Sequence, residues 1–227
     1  FKNKNVLITG GSSGIGEATA LMFAHEGANV AITYKENKKG ADSVIEKIKA
    51  NGGKTFSIKA DLTNDSEAKK VVESVIKEFG NIDILINCAG VFPVKSLQES
   101  TLEDFDACFN VNIRAAFLFS KAFSESMIKN KWGRIVNIGS SSAYGGAKNT
   151  AIYCASKHAI LGLSRALHQE LRENGVRVFC VSPGGVKTEM GKKITWQDYN
   201  TLIDPKDIAE YISFVISFDG DMVVDEA

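Results

Sequence analysis

Only three prolines occur in 227 residues, and no stretch gathers proline, glycine and serine into a linker. With no low-complexity tract either, nothing marks a domain boundary, and a single domain spanning 1–227 is expected. Long apolar runs are missing: none approaches the roughly 18 residues that cross a bilayer as a helix. An excess of one charge sign is missing too, since Lys plus Arg and Asp plus Glu each number 27. A net charge of zero removes the general electrostatic attraction behind binding to nucleic acid or to an anionic membrane. The four cysteines, Cys88, Cys108, Cys154 and Cys180, are scattered and form no C-x-x-C pair. Cys180 lies in an apolar strand-like run and Cys88 follows another, so buried free thiols in a reducing compartment are expected. The three histidines, His25, His158 and His168, make no metal cluster, and His158 and His168 are assigned to helix surface. No metal is expected. No leader is recognisable after Phe1, and a cytoplasmic location is expected.

The composition present is that of an ordinary folded protein, 44% apolar and 24% charged, in a length that fills one sizeable core. Short apolar runs alternate with longer amphipathic ones. Residues 6–8, 30–32, 55–58, 82–86, 134–138 and 176–181 read as strands, with a possible last strand at 222–224. Helices are expected over 15–26, 38–50, 66–79, 102–130 and 150–173, and after Pro205. Strands that are apolar throughout, each followed by a helix, belong to a parallel sheet covered on both faces. Six or seven of them make an α/β fold with a single Rossmann-like, doubly wound domain.

The first strand runs directly into Thr9-Gly10-Gly11-Ser12-Ser13-Gly14-Ile15-Gly16. Glycines let the backbone turn sharply and approach a pyrophosphate, and the helix that starts there offers free N–H groups and its dipole to negative charge. The spacing is G-x-x-x-G-x-G rather than the general G-x-G-x-x-G. Placed between a strand and a helix, the run points to a dinucleotide rather than to a plain connection. An acid ending the second strand would take the ribose hydroxyls of NAD. Here that strand ends in Thr33-Tyr34-Lys35, with Glu36 the first acid and Lys38 and Lys39 close behind. Lysines there can meet a 2′-phosphate, which favours NADP(H) over NAD(H); alternatively they solvate a helix start.

Tyr153 and Lys157 are four residues apart in Tyr153-Cys154-Ala155-Ser156-Lys157, which on a helix puts both on one face. An ammonium beside a phenol favours the phenolate, so such a Tyr can pass a proton near neutral pH. With the glycine turn and this pair together, the chain resembles the classical short-chain dehydrogenase/reductase family, and is similar to its 3-oxoacyl-acyl-carrier-protein reductase-like members. The likeness runs from about Lys4 to Ser217 with motifs in family order. The resemblance implies adenine contact by Asp61 in Ala60-Asp61-Leu62. It matches Asn87-Cys88-Ala89-Gly90 to the family's Asn-Asn-Ala-Gly, with Cys for the second Asn. It makes Asn112 the Asn that holds a water linking Lys157 to solvent; without the family, a helix–helix hydrogen bond is the alternative. It makes Ser140, thirteen residues before Tyr153, the partner of the substrate oxygen, although Ser141 or Ser142 could serve on position alone. Tyr153 becomes the proton donor in reduction, and Lys157 lowers its pKa and binds ribose. Pro183, Gly184, Val186 and Thr188 flank the nicotinamide. The implied cofactor contacts are therefore Gly10, Ser12, Ser13, Gly14, Ile15, Gly16, Tyr34, Lys35, Asp61, Leu62, Asn87, Ala89, Gly90, Tyr153, Lys157 and this last group.

The substrate pocket is expected from 91–94, 141–144, Gly185 and 187–204, the last carrying Met190, Ile194, Trp196, Tyr199 and Leu202. Apolar residues there suggest a lid over an apolar substrate, or ordinary packing. The substrate is expected to be a small carbonyl or alcohol, or an acyl chain on an acidic carrier met by Lys129, Lys131 and Arg172. The helices over 102–130 and 150–173 carry more apolar surface than one sheet face buries. The family pairs these helices between subunits, so a homo-oligomer, dimer or tetramer, is expected. The ending at 222–227 departs from the commonest family ending. The leading function is an NADP(H)-dependent carbonyl reductase or alcohol dehydrogenase. The alternatives are a catalytically silent nucleotide sensor on the same fold, and an epimerase or dehydratase, which generally needs a longer C-terminal part.

Overall fold

The computed structural model describes residues 1–219. Six strands, β1 (Asn5–Ile8), β2 (Asn29–Tyr34), β3 (Thr55–Lys59), β4 (Ile84–Asn87), β5 (Gly133–Ile138) and β6 (Val176–Val181), form one sheet in the order β3-β2-β1-β4-β5-β6. Every pairing is parallel. The expected strand at 222–224 lies outside the described residues.

Alternation along the strands explains why they read as continuous apolar runs. Val6 and Ile8 of β1 join a core with Ile32, Ile86 and Val136 on one face, whereas Leu7 joins Ala31, Leu85 and Ile135 on the other. Each face is sealed by helices. Helices α1 (Gly14–His25), α2 (Lys38–Ala50) and α7 (Pro205–Ile216) cover the first through Phe23, Val44 and Ile212. The second face is covered by α3 (Asp65–Phe79), α5 (Ala115–Lys129) and α6 (Ala151–Leu171), through Val71, Phe119, Phe123 and Leu171.

The single helix expected over 102–130 is instead three pieces. A capping box between Thr101 and Asp104 starts α4 (Leu102–Phe109), a π-helical turn follows at Asn110–Arg114, and α5 continues. A π turn inserts one extra residue into the helical ladder, and such turns concentrate at functional positions. Sequence periodicity cannot register it, because the backbone remains helical on both sides. His168 also departs from expectation. It is buried, and its Nδ1 donates to the Val178 carbonyl at 3.1 Å, tying α6 to β6, while His158 is exposed as expected. Cys108, Cys154 and Cys180 are buried, Cys88 is half-buried, and none of the four is in a disulfide.

The strand order reverses between β1 and β4: the chain moves outward through β2 and β3, then returns to β1's other side. In open α/β sheets the crevice at such a switch point, at the carboxyl ends of the strands, is where ligands bind.

Candidate active site

The crevice holds a cavity of about 590 Å³ lined from the carboxyl ends of all six strands. At its floor, the turn after β1 is shaped by glycine. Gly10 has φ +69°, and a Cβ on Gly16 would stand 2.3 Å from the Gly10 carbonyl oxygen, so only glycine lets α1 start this close to the turn. Thr9 Oγ1 accepts from the backbone N–H groups of Cys88 and Ala89 at 3.0 Å, which fastens the turn to the segment after β4. Asn37 Nδ2 donates to the Ser12 carbonyl at 3.0 Å and fastens it to the start of α2. A turn braced on both sides, with the N-terminus of α1 opening into the cavity, fits a pyrophosphate.

One end of the cavity is bounded by Tyr34, Lys35, Asp61 and Leu62. Lys35 Nζ lies 2.8 Å from Asp61 Oδ2. That contact, with hydrogen bonds from Thr63, holds the Asp61 carboxyl down at about 2 despite partial burial. Lys38 is engaged by Asp42 at 2.6 Å on its own helix and does not line the cavity, so Lys35 is the lysine that faces this end of it.

At the other end stand Ser140, Tyr153 and Lys157, all lining the cavity. Ser140 follows β5, and its Oγ accepts from the Ser142 N–H at 3.1 Å, which opens a short helical turn at Ser141–Ala143. Ser140 is the serine whose side chain acts on the Tyr153 hydroxyl, favouring its ionised form. The Lys157 ammonium is buried, donates to the Ile138 carbonyl at 2.7 Å, and lies 5.5 Å from the Tyr153 ring centre. Burial pushes the Tyr153 hydroxyl up to about 12, with Ser140 pulling the other way, and pushes the Lys157 ammonium down. Desolvation thus sets the direction of the shift at Tyr153. Cys88 is pushed up to about 12 for the same reason, so its thiol is a poor nucleophile.

Asn112 does not line the cavity. It sits in the π turn, buried, with both ends of its amide engaged by protein. Its Oδ1 accepts from the Val91 N–H at 2.8 Å, and its Nδ2 reaches the Val91 carbonyl at 3.1 Å, Ser156 Oγ at 3.0 Å and Cys108 Sγ at 3.3 Å. Among the cofactor residues read from the sequence, Asn87 alone is set back from the cavity wall; its Nδ2 donates to Asn137 Oδ1 at 2.8 Å between β4 and β5. The remainder, including Ala89, Gly90, Pro183, Gly184, Val186 and Thr188, line it.

Of the expected substrate-pocket residues, Val91, Phe92, Ser141, Ser142, Gly185, Met190, Ile194 and Trp196 line the cavity, whereas Tyr199 and Leu202 do not. The segment after β6 is pinned at its base: Lys187 N–H donates to the Ile203 carbonyl at 2.8 Å and Ile203 N–H to the Gly185 carbonyl at 2.9 Å. Gln197, within the expected 187–204 segment, lines it too, whereas Ala107, Val111, Gly145, Gly146 and Ala147 line the cavity from outside the expected pocket segments. Among the described residues no group of His, Cys, Asp and Glu could hold a metal ion, and no helix is long and apolar enough to cross a membrane.

A family model described as short chain dehydrogenase matches residues 4–198. The chain belongs to the short-chain dehydrogenase/reductase family. A 3-oxoacyl-(acyl-carrier-protein) reductase of Synechocystis sp. is 34% identical over 92% of this chain and 87% of that protein. A short-chain dehydrogenase of Burkholderia cenocepacia, solved in complex with NADP, superposes with a TM-score of 0.88 at 33% identity over 99% of this chain and 95% of its own. A blue fluorescent protein from a metagenomic library, solved with NADPH, gives 0.91 at 33% identity over the same shares. The chain is accordingly an oxidoreductase that depends on a nicotinamide dinucleotide, built on the Rossmann-type sheet of this family.

Proposed function

We propose that this oxidoreductase transfers a hydride between NADP(H) and a carbonyl or secondary alcohol, with Tyr153 as the acid in reduction and the base in oxidation. The observation that carries the reading is the meeting of Ser140, Tyr153 and the buried Lys157 at one end of a cavity whose floor is the glycine turn. The bound cofactor supplies the hydride and the protein supplies binding, orientation and proton handling.

Gly10, Ser12, Ser13, Gly14, Ile15 and Gly16 would cradle the pyrophosphate, Asp61 and Leu62 the adenine, and Lys35 a 2′-phosphate. Ala89, Gly90, Pro183, Gly184, Val186 and Thr188 would hold the nicotinamide half, and Lys157 the adjoining ribose. The NADP-bound and NADPH-bound relatives support this choice.

Reduction needs a proton at the carbonyl oxygen as charge develops there. Tyr153, protonated at neutral pH, delivers it, while Ser140 donates a second hydrogen bond to the same oxygen. Lys157 lies close enough to stabilise the phenolate that remains until a proton returns. In oxidation the same groups act in reverse. Asn112 serves by holding α4, the segment after β4 and α6 in register at Tyr153.

The substrate end of the cavity is mainly apolar, through Phe92, Val111, Met190, Ile194 and Trp196, with Ser141, Ser142, Glu189 and Gln197 among its polar residues. This suits a ketone with an apolar arm, and a 3-oxoacyl thioester on a carrier belongs to that class, as the Synechocystis relative's name illustrates. The half-exposed Phe105 and Phe117 favour a homo-oligomer. Following NADPH absorbance against ketones, 3-oxoacyl thioesters and sugars tests the reading. Turnover of one ketone class, lost in Tyr153→Phe with NADPH binding retained, supports it; turnover retained in that variant sinks it.

A further inference from the structure

We infer that Phe92 is a positioning and specificity residue, holding Tyr153 in its working orientation and setting the bulk of the group a substrate may carry beside the carbonyl. The inference rests on Tyr153 being the proton donor.

The Phe92 ring is buried, and its centre lies 4.5 Å from that of Tyr153 at an interplanar angle of 59°. That is a close tilted aromatic contact. Both rings line the cavity, so Phe92 forms a wall at the point where the reacting oxygen must lie.

The backbone beneath Phe92 is clamped. Asn112 accepts from the Val91 N–H at 2.8 Å and donates to the Val91 carbonyl at 3.1 Å, the two-point pairing a strand neighbour would make. The same amide donates to Ser156 Oγ at 3.0 Å, and Ser156 in turn donates to the Tyr153 carbonyl at 2.7 Å. Tyr153, Ser156, Asn112, Val91 and Phe92 therefore form a closed circuit of contacts, from the Tyr153 backbone round to its own ring. A polar network that is fully paired and closed on itself rigidifies what it holds. From the far side Lys193, in the segment after β6, donates to the Phe92 carbonyl at 3.3 Å. Motion of that segment thus reaches the wall beside Tyr153.

Two consequences follow that a merely structural phenylalanine would not have. Phe92 shields Tyr153 from water, so truncation should admit water and move the proton-donor titration toward the ordinary tyrosine value of about 10. It also occupies space beside the reacting carbonyl, so truncation should favour larger neighbours.

The experiment compares wild type, Phe92→Ala, Phe92→Leu and Phe92→Tyr with ketones that differ only in the bulk of one arm, across alkaline pH. Phe92→Ala should lower kcat for the ketone wild type prefers by about 10- to 100-fold, as expected when a catalytic group is displaced by about an ångström. The same variant should shift relative kcat/KM toward the bulkier ketone by roughly tenfold or more. Its alkaline limb should fall at lower pH than that of wild type, Phe92→Tyr should restore the wild-type profile, and NADPH affinity should stay within about twofold. Phe92→Leu keeps an apolar wall and covers the case in which Phe92→Ala does not fold. Unchanged pH limbs and unchanged substrate ratios, with only thermal stability reduced, would overturn the inference while leaving the role of Tyr153 intact. Full activity of Tyr153→Phe would overturn that role and this inference together.

Discussion

The Lys35 ammonium and the Asp61 carboxylate meet at 2.8 Å across one end of the cavity, from the carboxyl ends of β2 and β3. Any 2′-phosphate bound here must share Lys35 with Asp61 or draw it away. A charge-assisted contact of this kind is worth about 1.5–3 kcal/mol. Lys35→Met should therefore weaken NADPH binding by roughly 10- to 100-fold while altering NADH binding far less, as read by fluorescence titration of both. Equal losses for the two cofactors would show that Lys35 does not read the phosphate.

Tyr153 supplies a pH dependence whose sign differs with direction. Burial pushes its hydroxyl up to about 12, so the phenol is protonated at neutral pH and is ready to donate. Alcohol oxidation needs the phenolate, so its kcat/KM should rise by about tenfold per pH unit below the Tyr153 pKa and then level off. Ketone reduction should stay flat over the same range and fall once the phenol ionises. The positive charge of an oxidised nicotinamide favours the phenolate, so the oxidation plateau in kcat should come earlier than that in kcat/KM. Parallel initial-rate profiles in both directions check this; an oxidation rate that falls with rising pH would exclude Tyr153 as the base.

Local chemistry carried most of the fold into the sequence. The β1 turn was legible because glycines at 10, 14 and 16 answer a backbone need that no other residue meets. Strands buried on both faces announced a parallel sheet. Tyr153 and Lys157 were paired by helical spacing, and Ser140 was added to them by the family spacing. Three features escaped for one reason: they depend on contacts between distant segments. The π turn at Asn110–Arg114 keeps a helical pattern on either side, His168 looks like any polar residue of an amphipathic helix, and Phe92 lies 61 residues from the ring it packs on. The upward shift of Tyr153 by desolvation escaped similarly, because burial depth is a property of the assembled crevice.

Arg134 is almost wholly buried in β5, yet it is charged, because burial lowers its guanidinium only to about 10. It donates to the Ile216 carbonyl at the end of α7 at 3.1 Å, pairs with Asp219, and lies 4.5 Å over the Trp132 ring. Arg134→Met removes these and leaves the Ile216 carbonyl without that donor. Asp219 is largely exposed and regains water, so the cost should be about 3 kcal/mol, the lower end for a broken buried pair. For a domain of this size that is roughly a 5–10 °C fall in Tm. Calorimetry measures the shift, and Trp132 fluorescence should change with it; an unchanged Tm would mean the end of α7 is held without Arg134.

Phe119 and Phe123 lie inside the sheet–helix core, so the apolar surplus of the 102–130 region reduces to Leu102, Phe105 and Phe117, exposed by 78%, 41% and 45%. Phe105 stacks on Phe109 at 4.3 Å, which makes a rigid aromatic step on α4 rather than a loose side chain. Apolar groups of this size left to water favour association, at about 25 cal/mol for each Å² covered. Light scattering on the protein should thus give a mass of two or four times the 24.6 kDa chain. Phe117→Glu should lower that mass, because a carboxylate buried without a partner costs more than the ring contributes. NADPH affinity should persist in the variant, since Phe117 does not line the cavity. A monomeric wild type would refute the association outright, and an unshifted mass in Phe117→Glu would place the contact on another face.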